Sequence, residues 1–391
     1  MTMTRRRALG SILGAAGGIM YAMNDVVAAQ STAGVASESL DAIAQRKGMR
    51  FGSAIGDTRP DSDQAFGFQD ERYRALVARE CGVMVTENEM KWQALRPSPR
   101  EFDFAPADKL VAWAKQNRLL IRGHTLLWHE PKWQPEWLNR YDFGARPVQE
   151  AERLLGEHIA TVCRRYAKDV HSWDVLNESV AHEDGELRTN AFTPHLGNVG
   201  QIDFAFRVAR ENAPQAQLVY NDYMNPGNFS AKHRAGVLKL LHDLKARGTP
   251  VDALGLQSHI GTGEDGKGVQ RGGADERDWR SFLDEVTAMG LDLLITELDV
   301  NDRYLPAAID KRDAEVAAIA RAYLDVTLSY PRLRTVVAWG LPDHLSWLQP
   351  RWPRPDGLPK RPCPYDAQLR PKALRATLAA AFQAMPARKP A

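Results

Sequence analysis

Two glutamates stand where packing alone gives them no reason to be. Glu178 closes the run "WDVLNE" (173 to 178) and Glu297 follows "LLIT" (293 to 296), so an apolar stretch delivers each carboxyl group to its own end. Asn177 adjoins the first, and His259 and several tryptophans end or follow similar runs. One glutamate so placed is about as often a salt bridge or a helix cap as a reactive group. Two, accompanied by an amide, an imidazole and indoles, favour catalysis. Cutting a glycosidic bond needs such a pair: one carboxylic acid protonates the leaving oxygen, and a second carboxylate attacks the anomeric carbon or activates water.

Other chemistries lack their residues. His124 and His129 do not have the i, i+4 spacing of a helical zinc motif, and "HED" at 182 to 184 is not H-E-x-x-H. No Gly-rich phosphate fingerprint follows a strand, and no serine sits in a G-x-S-x-G elbow. Neither a metal nor another cofactor is expected. Cys81, Cys163 and Cys363 show no C-x-x-C or Cys/His spacing. Cys81 and Cys163 at least read as buried small hydrophobes, while one bridge stays open in an oxidising compartment.

The elements that must hold these groups repeat in form. In "RYRALVARECGVMVTENEM" the residues Tyr73, Leu76 and Val77 keep a helical period, and Gly82 stands where a helix end favours glycine. Val83 to Val85 then form a buried strand that ends at Glu87 and Asn88. The order returns in "KLVAWAKQNRLLIRGHTLLWH", with Asn117 at the helix end, and in five further segments ending near Asn177, Asn221, Gln257, Glu297 and Trp339. With the opening strand "RFGSAIGD" this gives eight strands, each later one preceded by a helix. Short apolar strands of this kind belong to a parallel sheet covered by helices, and eight alternations favour a closed (β/α)8 TIM barrel over an open doubly wound sheet. The helix near Leu374 to Met385 would close the ring.

In such a barrel the C-terminal strand ends share one mouth. Glu87, Asn88, His124, Asn177, Glu178, Asn221, Asp222, Gln257, His259, Glu297, Asp299 and Trp339 are thereby pooled, with Glu178 after strand four and Glu297 at the end of strand seven, facing each other across it. The Gly-rich stretch 261 to 273 falls between a strand and its helix and reads as a long loop, so residues 49 to 385 form a single catalytic domain.

The ends read differently. Residues 1 to 29 have a basic head (Arg5, Arg6, Arg7), a Gly/Ala-rich apolar run and a cleavage-like Val27-Ala28-Ala29, the features of a signal peptide. "TRRRAL" is similar to a twin-arginine export signal, and an uncleaved anchor is the alternative. Residues 30 to 48 are a lead-in and 386 to 391 a tail. Cleavage after Ala29 would take the formal charge from +2 to zero, which gives no ground for a nucleic-acid partner. The expectation is an exported protein, periplasmic or secreted, monomeric, and off the membrane once the leader is removed.

Seven segments together resemble a known family. "TENEMKW" (86 to 92), "RGHTLLWH" (122 to 129), "WDVLNE" (173 to 178), "YNDY" (220 to 223), "LGLQSHI" (254 to 260), "ITELDV" (295 to 300) and "AWGLPDHLSW" (338 to 347) are similar, in order, to the signature segments of the family-10 glycoside hydrolases, the retaining endo-1,4-β-xylanases. The resemblance runs from about residue 50 to 380. It implies Glu178 as general acid/base and Glu297 as nucleophile. It also implies Asn177 on the sugar 2-hydroxyl, and His259 with Asp299 holding Glu297 ionised and aimed. Glu87, Asn88, Lys91, His124, Trp128, Gln257, Trp339 and Trp347 would surround sugars on the non-reducing side of the cut, and Tyr223 the first sugar beyond it. Trp92, Trp113, Trp133, Trp137, Trp173 and Trp279 are assigned to packing.

Two stretches depart from that pattern or leave their role open. After "LLWH" the family commonly continues with a glutamine that reads the second sugar, where this chain has "EPKWQPEW" with Pro131 near that point. The Pro-rich segment 346 to 366 reads as a lid over the cleft, or as a rigid connector anchored at Cys363. Two functional alternatives remain: a related retaining β-glycosidase acting on other β-glycans or short xylo-oligosaccharides, and a non-catalytic polysaccharide-binding barrel. Loss of one glutamate would mark the latter, and both are present.

Overall fold

Nine parallel strands, β1 to β9, alternate with helices: β1 Arg50–Ile55, β2 Val83–Thr86, β3 Leu120–Trp128, β4 Val170–Asn177, β5 Gln217–Asp222, β6 Ala253–Leu256, β7 His259–Gly261, β8 Asp292–Asn301 and β9 Leu333–Ala338. This computed structural model describes residues 38–57, 67–261 and 274–388. From β1 to β6 each strand pairs with the next, β6 pairs with β8 and β8 with β9, and the ring closes where β1 meets β9, Phe51 opposite Val336. The short β7 continues the line of β6 after Ser258 and pairs only with β8, so the ring has eight positions. The (β/α)8 barrel expected from the alternation is the fold observed, and Ser39 onward forms one compact unit.

Helix α1 (Leu40–Gln45) precedes the barrel. Helices α2 (Glu71–Glu80), α3 (Ala105–Gln116), α4 (Pro147–Tyr166), α5 (Asn198–Asn212), α6 (Ala231–Ala246), α7 (Ala274–Ala288), α8 (Ile309–Thr327) and α9 (Ala373–Ala384) wrap it. Alternation along β2 sorts the core. Met84 joins the large cluster, whereas Val83 and Val85 join Ala54, Val337 and Trp339 in a separate small one.

Two details revise the expectations. Gly82 does not end α2 by a left-handed turn, since the helix stops at Glu80 and Cys81 is extended. Glycine is needed there because a Cβ would lie 1.9 Å from Arg50 Nη2 and 2.0 Å from Asp41 Oδ2. The end of α3 does use the left-handed region, at Arg118 (φ 57°), just after Asn117. Within the lead-in, Ser39 caps α1, and Asp41 accepts from Arg50 Nε at 3.0 Å. Buried Arg388 in the tail donates to the backbone of Leu333 (3.0 Å) and Leu328 (2.6 Å). The expected leader, 1 to 29, lies outside the described residues, as do 58–66 and most of the Gly-rich stretch.

All three cysteines are free and buried. The open possibility of a bridge is thus not realised.

Candidate active site

The strand ladders are interrupted beside the residues singled out from sequence. Register shifts fall between His124 and Leu127 on β3, between Asp174 and Leu176 on β4, and between Ile295 and Leu298 on β8. Such irregularities re-aim side chains, and here they adjoin His124, Asn177 and Glu297. Glu178 follows β4 with φ 53°, a conformation unfavourable by about 1–3 kcal/mol for a side chain with a Cβ. Its N–H donates to Asn221 O at 3.0 Å, which fixes the turn.

One cleft of about 1480 Å³ at the strand ends is lined by all fourteen residues predicted to act. Glu87, Asn88 and Lys91 come from the loop after β2, His124 and Trp128 from β3, and Asn177 and Glu178 from the end of β4. Tyr223 follows β5, Gln257 follows β6 and His259 opens β7. Trp339 and Trp347 follow β9. Glu297 and Asp299 do not stand at a strand end as the apolar run suggested. They lie inside β8, which runs on to Asn301.

A line of hydrogen bonds joins the two glutamates. Gln257 Nε2 donates to Glu178 Oε1 (3.0 Å) and to Asn177 Oδ1 (3.3 Å). Asn221 Nδ2 donates to the same Asn177 oxygen (2.9 Å) and to Glu297 Oε1 (2.8 Å). With its oxygen engaged twice, the Asn177 amide keeps its NH2 for a ligand. Trp128 Nε1 completes the hold on Glu178, donating to Oε2 at 3.0 Å.

The carboxyl groups are pushed apart in acidity. Burial raises the pKa of Glu178; Asp222 and Glu297 add to the rise, and bonds from Gln257 and Trp128 oppose it. Burial acts on Glu297 in the same direction, but the bond from His259, the electrostatic influence of His124 and of His259, and the Asn221 amide outweigh it and bring the pKa down to about 2. His259 Nε2 lies 3.2 Å from Glu297 Oε2, and Nδ1 lies 3.0 Å from Asp299 Oδ1. Despite burial, those two carboxylates lift the histidine to about 10, so at neutral pH it is a cation. Trp347 Nε1 donates to Asp299 Oδ2 at 2.7 Å, fixing the outer end of the relay. Two groups with diverging pKa values are the signature of an acid and a nucleophile in one site.

Asn221→Ala should therefore move the acid limb of kcat/KM upward. With Glu297 in its expected role of nucleophile, the limb reflects protonation of this carboxylate, whose folded pKa lies below its ordinary value of 4.5. Loss of a donor to the carboxylate raises that pKa, so activity disappears at a higher pH than in the wild type. A pH–rate profile on an aryl xylobioside checks this, and an unmoved acid limb would refute it.

Across the mouth, buried His124 places Nδ1 2.9 Å from Asp174 Oδ2, and Arg122 also pairs with Asp174. Lys91 Nζ donates to Asn88 Oδ1 (3.0 Å) and lies 4.8 Å from the centre of the Trp128 ring. These groups offer charges and amides to the rim of a sugar and aromatic surface to its face. Among the described residues no cluster of His, Cys, Asp or Glu is arranged to hold a metal ion.

Trp133 is a correction. It was assigned to packing, yet it lines the cleft and stacks on Trp128, centroids 5.2 Å apart at 18°. A tryptophan in a proline-containing turn just past a strand end belongs to the mouth, and that position was the missed signal. Trp92, stacked on His158 at 3.8 Å, Trp173 and Trp279 are packing residues as expected. Gln134 spends its amide on Trp128 O (2.9 Å) and takes no part in the lining.

Segment 346 to 366 both borders the cleft and connects, with its latter part anchored as the connector reading expects. Leu348, Pro350, Arg351 and Trp352 line the cleft, and beyond them the chain is tied down. Buried Arg354 donates to Leu305 O (2.8 Å), buried Lys360 to Asn301 Oδ1 (2.5 Å), and Cys363 N to Asp343 Oδ1 (3.0 Å).

Asn221 was pooled at a strand end without a role, and it proves central. Thr296 Oγ1 donates to Asn221 Oδ1 at 2.6 Å, which orients the amide toward Glu297. Gly255 makes room for it, since a Cβ there would meet Asn221 Oδ1 at 2.4 Å.

The chain and its fold have known relatives. The Glycosyl hydrolase family 10 profile matches residues 39–381. Endo-1,4-beta-xylanase 3 of Hypocrea jecorina is 30% identical over 314 residues, 80% of this chain and 79% of the relative. Endo-1,4-beta-xylanase B of Thermotoga neapolitana is 29% identical over 79% of this chain and 82% of its own. The structure of xylanase 10B from Thermotoga petrophila in complex with xylobiose superposes with a TM-score of 0.75 at 28% identity, covering 88% of this chain and 97% of that one.

Proposed function

The chain belongs to glycosyl hydrolase family 10, and from that premise we propose that it is an endo-1,4-β-xylanase that cuts internal bonds of xylan with retention of configuration. The observation that carries the mechanism is the hydrogen-bonded line from Glu178 through Gln257, Asn177 and Asn221 to Glu297, with the two carboxyl groups displaced in opposite directions.

Glu178, its pKa raised, gives its proton to the glycosidic oxygen while ionised Glu297 attacks the anomeric carbon from the other face. The bond to the leaving sugar breaks and a glycosyl-enzyme forms on Glu297. Glu178, now a carboxylate, takes a proton from water, the water attacks the same carbon, and Glu297 is released with net retention. Asn177 donates to the 2-hydroxyl of the reacting sugar, a contact that tightens as positive charge develops on the ring. Cationic His259 keeps Glu297 ionised until attack, and Asp299 and Trp347 keep His259 in place.

Residues 1 to 29 act in this reading as a twin-arginine export leader, and the mature monomer works in the periplasm or outside the cell. The test is the product profile over time, resolved by size, on xylan beside cellulose and mannan. Early release of mixed xylo-oligomers from xylan alone is expected. Cleavage confined to short xylo-oligomers, or activity on cellulose or mannan instead, would overturn the substrate, and no cleavage at all would leave a binding barrel.

A further inference from the structure

The cleft displays an aromatic ring that neither the reacting groups nor the sugar-reading groups require. Phe229, in the loop between β5 and α6, lines the cleft and is 73% exposed, the most open of the large apolar side chains among the described residues. Inside a cleft lined largely by charges, amides and indoles, an open phenyl ring is apolar surface that a ligand face can cover.

The loop presenting it is built to hold a shape. Arg234, buried at the start of α6, donates through Nη1 to three successive carbonyls, those of Asn225 (2.5 Å), Pro226 (2.9 Å) and Gly227 (2.8 Å). Asn225 N donates to Ser230 Oγ at 3.0 Å, and Ser230 N to Gly227 O at 2.9 Å. The Phe229 ring lies against the backbone of Gly227, where a Cβ would stand 2.5 Å from its Cε1. A buried guanidinium committed to three loop carbonyls fixes the tip and so fixes the ring.

Its place in the ring of strands says which part of a substrate would meet it. Glu178 and Glu297 occupy the fourth and seventh positions, leaving β5 and β6 on one side of the cut and β9, β1, β2 and β3 on the other. Lys91, Trp339 and Trp347 belong to the larger side and Tyr223 and Phe229 to the smaller, while Gln257, after β6, reaches Glu178 (3.0 Å) and Asn177 (3.3 Å) at the divide itself. Tyr223 directly follows β5 and is held by Arg188 Nη2 (2.8 Å), while Phe229 lies six residues farther along the same loop. The geometry points to Phe229 as the stacking platform of an outer subsite on the leaving-group side, which takes the C–H face of a xylose at least two units beyond the cut. This rests on the reading of the cleft as that of an endo-xylanase. A pyranose face of axial C–H groups is the apolar surface that such a ring covers best.

The test compares wild type, Phe229→Ala and Phe229→Tyr on xylohexaose and on 4-nitrophenyl β-xylobioside, whose leaving group does not extend to the outer loop. Each variant is scored by the ratio of kcat/KM on the first substrate to that on the second. Phe229→Ala should lower the ratio roughly three- to tenfold, the scale of one aromatic stacking contact, and Phe229→Tyr should restore it. Xylohexaose cleavage in the alanine variant should also shift toward bonds that leave fewer sugars on the departing fragment. A wild type active on both substrates with an unchanged ratio in Phe229→Ala would overturn the subsite alone. A wild type inactive on both would overturn the xylanase reading and the subsite with it.

Discussion

Glu297→Ala is expected to lower kcat on xylan by about 10⁴-fold or more while xylo-oligomers still bind. The carboxylate forms the bond to the sugar, and among the groups facing it Asn221 offers only an amide and His259 an imidazole already paired with Asp299. Binding should persist because Lys91, Trp128, Trp339 and Trp347 line other parts of the cleft. The deletion leaves a space beside two hydrogen-bond donors, Asn221 Nδ2 and the protonated His259 Nε2, which suits a small anion. Azide with an activated aryl xylobioside should therefore restore turnover, entering from the vacated face and giving a product of inverted configuration. Calorimetric binding of xylotetraose and product analysis with azide check the two halves. Hydrolysis at wild-type rate would sink the assignment of the nucleophile.

Folding stability at Glu297 should follow the same electrostatics. Its folded pKa of about 2 lies below the ordinary 4.5, so the carboxylate contributes stability above the ordinary value and loses that contribution as pH falls through the folded one. His259 acts in the opposite sense. Its pKa of about 10 lies above the ordinary 6.5, so its contribution is full below 6.5 and fades as pH rises through the folded value. Both contributions are full between about 4.5 and 6.5, while the folded pair itself stays charged across the wider span from about 2 to about 10.

The barrel was legible because its signal is redundant: each strand is a short apolar run behind an amphipathic helix, and one misjudged boundary does not disturb the alternation. The site was legible for a related reason. A single polar residue at the end of a buried run is ambiguous, but Glu178 with Asn177 and a second glutamate behind another apolar run single out one mouth. Glu297 was found by the same rule although the rule misdescribed it, since β8 passes through it to Asn301 and a register shift turns its side chain into the mouth.

What sequence could not supply were relations between loops. Asn221 looks like any strand-end amide until Thr296 and Gly255, distant in the chain, show how its ends are fixed. Trp133 and Trp128 are five residues apart, but only the turn beginning at Pro131 stacks their rings. The segment 346 to 366 stayed open between lid and connector because proline content reports stiffness without reporting what the stiff chain is tied to. Buried Arg354 and Lys360 supply the ties, and no periodic pattern marks a buried cation.

Glu178→Ala should separate substrates by their leaving groups. On xylan the departing sugar alcohol needs a proton, and loss of the acid should cost roughly 10²- to 10⁴-fold in kcat/KM. A dinitrophenyl xylobioside carries its own stable leaving group, so the first step should remain close to the wild-type rate. The second step lacks its base, and the glycosyl-enzyme on Glu297 should accumulate, giving a burst of phenol, a lower kcat and a lower KM. The alkaline limb should respond as well. In the wild type it reflects loss of the proton that burial keeps on Glu178 above the ordinary carboxyl range, so the limb should vanish from kcat/KM on the activated substrate. Trp128 Nε1 and Gln257 Nε2 lose an acceptor in this variant, yet Gln257 keeps Asn177 Oδ1, so the line to Glu297 survives. Equal losses on xylan and on the dinitrophenyl substrate, with no burst, would show that another group supplies the proton.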